Sequence, residues 1–178
     1  MKKFKTIAAA LGGAVLFFAL GRYVSIPSPI DTVNICVQYG LLGALAVVFG
    51  PLAGTLAGLL GHILIDLTAG EMCWSWILAT AAFGALVGGL SGITRVEPDA
   101  LGGENIVKFN LIQVAAHVVC WAGVAPVLEI LLYNESMDRI FEQGLTAALS
   151  NAVTAAIVGT ALLVAYSALK GRRKGTNN

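Results

Sequence analysis

Lys2-Lys3-Phe4-Lys5-Thr6-Ile7-Ala8-Ala9-Ala10-Leu11-Gly12-Gly13-Ala14-Val15-Leu16-Phe17-Phe18-Ala19-Leu20 places three cations ahead of an uninterrupted apolar run. A basic flank marks the cytoplasmic side of a membrane span, so this stretch sets the direction of the chain as well as its first helix. A secretory signal opens in the same order, but no convincing small-x-small cleavage site precedes Pro27, and the run is read as a retained span. Further apolar stretches follow, giving expected spans of roughly 6–24, 38–50, 52–68, 73–93, 106–132 and 141–169, against the roughly 20 residues a bilayer core of about 30 Å requires.

With the N-terminus inside, Lys2, Lys3, Lys5, Arg95, Lys108, Lys170, Arg172, Arg173 and Lys174 gather on the inner face. Only Arg22 and Arg139 remain outside. Five or seven spans would scatter these charges over both faces. The expected fold is therefore an all-α membrane protein, a compact bundle of six transmembrane helices with N- and C-termini cytoplasmic, in a single domain over 1–178.

Composition agrees. The chain is 57% hydrophobic and 12% charged, against about 25% charge in soluble domains. The net charge of +1 hides the asymmetry and gives no reason to expect nucleic acid. The Lys170-Gly-Arg-Arg-Lys174 cluster reads as an anchor near anionic lipid.

Helix one carries three overlapping small-xxx-small pairs, Ala8/Gly12, Ala9/Gly13 and Ala10/Ala14. In lipid, close approach over small residues supplies packing energy that hydrophobicity cannot. The pairs cover more than one side, so one side would pack inward and another could receive a partner helix. Helix two stops at Gly50-Pro51, a turn signal. It is about 20 Å long and short for a bilayer. Helix three is short and glycine-rich, which suggests a site-bearing region.

Helix three ends in Gly61-His62-Ile-Leu-Ile-Asp66. His62 and Asp66 share a helix face, and ionisable residues inside a membrane usually face a cavity or each other. They are therefore either ligand-facing or a pair that fastens helix three. Trp74 and Trp76 belong to an interfacial belt or stack on a planar ligand. Helix four offers almost no chemistry. Helix five aligns Gln113, His117 and Trp121 along one face, and Pro126 is expected to kink its outer half. Helix six holds Asn151, as interhelical glue or as a pocket group. Glu71 and Glu129 read as rim charges. Cys36, Cys73 and Cys120 read as small buried hydrophobes, although Cys36 and Cys73 lie close enough to the outer face for a bridge to be conceivable.

Enzyme signatures are absent: there is no Gly-x-Ser-x-Gly, no His-Glu-x-x-His and no Walker loop. No spacing calls for a metal or a cofactor. The chain reads as a non-enzyme whose energised transport would need an ATPase on another chain. The polar groups lie from the outer edge to the midplane, which suggests a receptor cavity rather than a through-channel.

Ser25-Ile-Pro-Ser-Pro, Val33-Asn-Ile-Cys-Val-Gln-Tyr39, Val48-Phe-Gly-Pro51, Gly61-His62-Ile-Leu-Ile-Asp66 and Trp74-Ser-Trp76 resemble substrate-binding S components of energy-coupling factor (ECF) transporters. They are similar to a poorly characterised branch often labelled riboflavin-type. The resemblance implies a subunit of the cell membrane that captures a small vitamin-like molecule, with riboflavin the first guess and a cationic ligand facing Asp66 or Glu71, another metabolite or haem as alternatives. Its implied partners are a transmembrane coupling protein and two cytoplasmic ATPase subunits. It also implies a ligand near the outer face, closed by the loops after helices one and three, which bring Asn34, Gln38, Trp74 and Trp76. The coupling surface would map to Ala8, Ala9, Ala10, Gly12, Gly13 and Ala14. Together the substrate-binding candidates are Asn34, Gln38, Tyr39, His62, Asp66, Trp74, Trp76, His117 and Asn151. A ligand-free membrane assembly protein and a small self-sufficient permease are the competing readings.

Overall fold

The computed structural model describes residues 2–24, 26–27 and 34–176, with side chains at 3–24, 26–27 and 35–172. The chain runs up and down in helices α1 (Lys2–Tyr23), α2 (Gln38–Phe49), α3 (Pro51–Ala69), α4 (Trp74–Ile93), α5 (Gly103–Val119), α6 (Ala125–Tyr133) and α7 (Met137–Thr176). A π-helical turn, Cys120–Val124, joins α5 and α6 into one rod. Among the described residues, five helical segments are long and apolar enough to cross a membrane: 3–23, 51–69, 74–93, 103–133 and 137–172. A further helix, α2, is apolar but shorter. The fold class is thus an all-α membrane bundle. Its lateral surface agrees: Leu11, Val15, Leu52, Leu67, Leu111, Leu131, Val153 and Ile157 are exposed, as lipid-facing side chains must be.

Two ends can be distinguished. The upper end carries residues 34–37, 70–73 and 134–136; the lower end carries the Gly50–Pro51 turn and residues 94–102. At the upper end Ile26–Pro27 (β1) pairs antiparallel with Asn34–Ile35 (β2), so this loop contains a short ladder. At the lower end, Pro98–Ala100 forms one 3₁₀ turn. Leu101 N–H donates to Ser167 Oγ of α7 at 3.1 Å, and Lys170 Nζ stands 3.8 Å from Asp99 Oδ2. This connection is more ordered than its glycines and acids suggest.

The Gly50–Pro51 pair reverses the chain between α2 and α3. Gly50 adopts φ 89°, a conformation open to glycine and costly for L side chains. Pro51 then opens α3 at a position where its missing N–H leaves no donor unpaired. Higher up, α3 and α4 touch backbone to backbone. A Cβ on Gly84 would collide with the carbonyl group of Gly54. That approach brings the α4 side chains against those of α3 and positions the site described next.

Candidate ligand-binding site

Tyr39, in the first turn of α2, is the hub. Its ring is buried edge-on against Trp121 (centroids 4.7 Å apart), Phe17 (5.5 Å), Phe83 (5.8 Å) and His117 (5.8 Å). A buried tyrosine needs a partner for its hydroxyl, and Tyr39 Oη lies 3.2 Å from Thr80 Oγ1 of α4. The same threonine oxygen is 2.6 Å from His62 Nδ1 and donates to Trp76 O at 2.9 Å. His62 Nε2 faces Asp66 Oδ1 at 3.6 Å, the helical i,i+4 relation expected from sequence.

The chain of polar contacts continues upward through Cys73. Its N–H donates to Asp66 Oδ2 at 2.9 Å, and its thiol donates to Glu129 Oε1 at 3.1 Å. Burial pushes the Cys73 thiol up to about 11, so it stays protonated and keeps donating at neutral pH. Ser75 Oγ donates to the same Glu129 oxygen. Trp74 N–H donates to Tyr133 Oη at 2.9 Å, tying the 70–73 loop to the top of α6. Two expectations are corrected here. Glu129 is a buried acceptor, 5% exposed, where a rim charge was expected. Cys73 is a hydrogen-bonding residue where a small hydrophobe was expected, because it stands just ahead of α4 between two carboxylates.

On the other side of Tyr39, α5 contributes His117 and Gln113. His117 Nδ1 donates to Gln113 O at 2.8 Å, and Gln113 Nε2 donates to Ala152 O of α7 at 3.1 Å. Asn151 Oδ1 accepts from Cys36 N–H at 3.1 Å and so fastens the start of α2 to α7. The π-turn has a plain cause: Pro126 cannot donate to Ala122, and its ring would strike that carbonyl. The helix answers with a wider turn, where sequence suggested a kink, and Trp121 is turned inward onto Tyr39 and His117. Gly144 of α7 leaves room for the Trp121 carbonyl in this bulge.

The structure therefore gathers Tyr39, His62, Asp66 and His117 of the expected set. Gln38 is buried beside them, its amide at the seam of α1 and α3 near Gly21 and Ile65. Asn151 is spent on loop backbone. Trp76 packs half-buried on the core and offers its carbonyl to Thr80. Trp74 is 47% exposed, outside the aromatic cluster. The side chain of Asn34 lies outside the described residues. Sequence reading missed Ser75, Thr80, Phe83 and Glu129, and left Trp121 out of the site. Helix four thus carries central chemistry, contrary to its apolar appearance. The available signal was the hydroxyls of Ser75 and Thr80 in the outer half of a mostly apolar, glycine-rich helix, where buried polar groups need partners. The lower half is also less dry than expected: Asn110 donates to Thr160 Oγ1 at 3.0 Å.

Helix α1 divides its small residues. Ala10, Gly13 and Ala14 are buried: Gly13 lies against Leu45 and Ala57, and the Ala14 carbonyl lies under Gly61. Ala8 and Gly12 are exposed, Ala9 partly so, and nothing within 4 Å would meet a Cβ on Gly12. Beside this free face an apolar groove of about 340 Å³ opens between α1, α2 and α7, lined by Ala9, Gly12, Leu45, Phe49 and Tyr166 among others.

A membrane bundle with a buried polar centre and no enzymatic motif has clear relatives. The chain is 38% identical over 169 residues to a UPF0397 protein of Lacticaseibacillus casei (strain BL23), covering 94% of this chain and 91% of that one. It is 37% identical over 164 residues to a UPF0397 protein of Staphylococcus aureus (strain Newman), covering 92% and 89%. No solved structure matches. Residues 1–168 match the family model described as ECF-type riboflavin transporter, S component. With that match over nearly its whole length, this multi-pass protein of the cell membrane belongs to the S-component family of ECF transporters, as a substrate-binding subunit and not an enzyme.

Proposed function

We propose that this S component captures a small, planar, vitamin-like molecule from outside the cell in the pocket centred on Tyr39. In this reading all six passes cross the membrane, both termini are cytoplasmic, and the upper end faces outward. Gln38, His62, Asp66 and His117 supply directional polar contacts, with Asn34 and Asn151 at the loop. Tyr39 forms a wall, Trp76 lies behind it, and Trp74 stands at the entrance. Riboflavin is the first candidate, because the family description names it.

Delivery would pass through a transmembrane coupling protein driven by two cytoplasmic ATPases. The contact falls on the small residues between Ala8 and Ala14. Ala8, Ala9 and Gly12 form the docking face, and Ala10, Gly13 and Ala14 hold α1 to its own bundle.

One observation carries the reading: buried polar side chains collect around one aromatic hub, toward the end of the bundle opposite most of the cations. The test is ligand capture by the full chain in lipid nanodiscs, with native mass spectrometry and an absorbance scan of the gently purified protein. A retained small molecule that is lost from His62→Ala is the expected result. A chain that retains nothing, binds nothing from a vitamin panel and supports uptake unchanged with His62→Ala plus Asn151→Ala would remove the pocket assignment.

A further inference from the structure

Asp66 and Glu129 are 9% and 5% exposed, and one residue holds both, Cys73, through its N–H and its thiol. A buried carboxylate is costly without a counter-charge. The lysine ion pairs among the described residues, Lys108–Glu104 and Lys170–Asp99, lie at the opposite end of the bundle. The cations of the upper half, Arg22 and Arg139, are both exposed.

A second observation points the same way. Besides Ser91 Oγ and Asn110 Oδ1 lower in the bundle, Gln38 Oε1, Gln113 Oε1 and His117 Nε2 are buried without a hydrogen-bond partner. All three are acceptors. For His117 this follows from geometry: a backbone carbonyl can only accept, so Nδ1 carries the proton toward Gln113 O, and Nε2 of the neutral ring keeps its lone pair. The His117 ring packs on Tyr39, whose hydroxyl reaches Thr80 beside His62 and Asp66. The Gln38 amide and the Ile65 side chain both lie against Gly21 of α1. Orphaned buried acceptors are rare in folded proteins and call for a missing donor.

Resting on the pocket reading above, we infer that the ligand is a positively charged planar molecule rich in N–H donors, of the amino-substituted heteroaromatic class. Its N–H groups complete the acceptors, its charge balances the carboxylates, and its face lies against the Tyr39 and Trp121 rings, which favour a cation. An anion would meet two carboxylates with no buried lysine or arginine among the described residues. An uncharged flavin offers donors but leaves the carboxylates uncompensated.

Three planar probes separate these classes: 4-aminoquinaldine, a cation at neutral pH; quinaldate, an anion; and riboflavin, uncharged. Each is titrated into the nanodisc-held full chain by tryptophan quenching, and any co-purified molecule is extracted and its charge determined by mass spectrometry. The expected order places the cation ahead of both others, with Asp66→Asn or Glu129→Gln weakening it by about 30-fold or more. Gln38→Lys, which puts an ammonium at one of the unpartnered acceptors, is expected to abolish cation binding, read on protein that still unfolds in a single transition. This second variant decides the matter if the carboxylate variants fail to fold. Tighter binding of riboflavin or quinaldate, an anionic or uncharged co-purified molecule, or a cation preference untouched by all three substitutions overturns the charge assignment and leaves the pocket standing. A chain that binds none of the probes and carries no molecule overturns both.

Discussion

Thr80 has one hydroxyl proton and three polar neighbours. While it donates to Trp76 O, its lone pairs are left to Tyr39 O–H and His62 Nδ1–H. If the proton turns toward His62 instead, the imidazole can present Nε2–H to Asp66. The hydroxyl therefore sets which tautomer Asp66 meets. Thr80→Val keeps the shape and removes the oxygen, orphaning Tyr39 Oη and His62 Nδ1 together. Each stranded buried group costs about 1–3 kcal/mol, so a lower melting temperature and weaker ligand binding are expected. Thr80→Ser should restore both. A valine variant as stable and as tight-binding as the parent would show that the threonine only fills space. Little of this was legible beforehand, because Thr80 looks like any small residue of a membrane helix until the Tyr39 hydroxyl is placed against it. His62 and Asp66 were legible, since ionisable groups inside an apolar span are scarce and their spacing fixes a shared face.

Between α3 and α4 the decisive feature is what is missing, namely side chains at Gly54 and Gly84. Gly84→Ala drives a methyl group into the Gly54 backbone, which cannot rotate aside as a flexible side chain would. Overpacking of this kind costs about 1–3 kcal/mol or more. It should also push Thr80 and Ser75 away from their α3 and α6 partners, lowering melting temperature and ligand affinity together. Gly92→Ala on the same helix meets open space and is expected to be neutral or mildly stabilising. Equal effects of the two substitutions, read by thermal unfolding, would contradict the close approach. At this scale the sequence announces its turns well. Gly50-Pro51 ends α2 and begins α3, and Gly70 caps α3 with φ 83°. The π-turn was not legible, because Pro126 says only that the ladder must break, while the choice between kink and bulge depends on Gly144 across the interface. Glu129 was misplaced for a related reason: its position near a helix end is readable, but the Ser75 and Cys73 donors that bury it come from another element.

For the whole molecule, the small residues of α1 and the distribution of cations have to be consistent with one importer. Gly12→Leu fills the free face of α1, where a Cβ meets nothing within 4 Å. It should leave folding and ligand binding unchanged while abolishing co-purification with the coupling protein; retained association would move the coupling surface elsewhere. Orientation is the more basic requirement, because a pocket facing the cytoplasm could not capture an external solute. It rests on nine cations against two, since lysine and arginine are retained on the cytoplasmic side during insertion. Glu97, in the lower connection, and Glu135, in the upper one, are both exposed, so single cysteines there report the two sides. The background replaces the native thiols with Cys36→Ala, Cys120→Ala and Cys73→Ser, the last keeping a donor toward Glu129. In intact cells a membrane-impermeant maleimide should label Glu135→Cys at once and Glu97→Cys only after permeabilisation. The reverse pattern would invert the bundle, place the acceptor-lined pocket inside the cell, and make uptake from outside physically untenable.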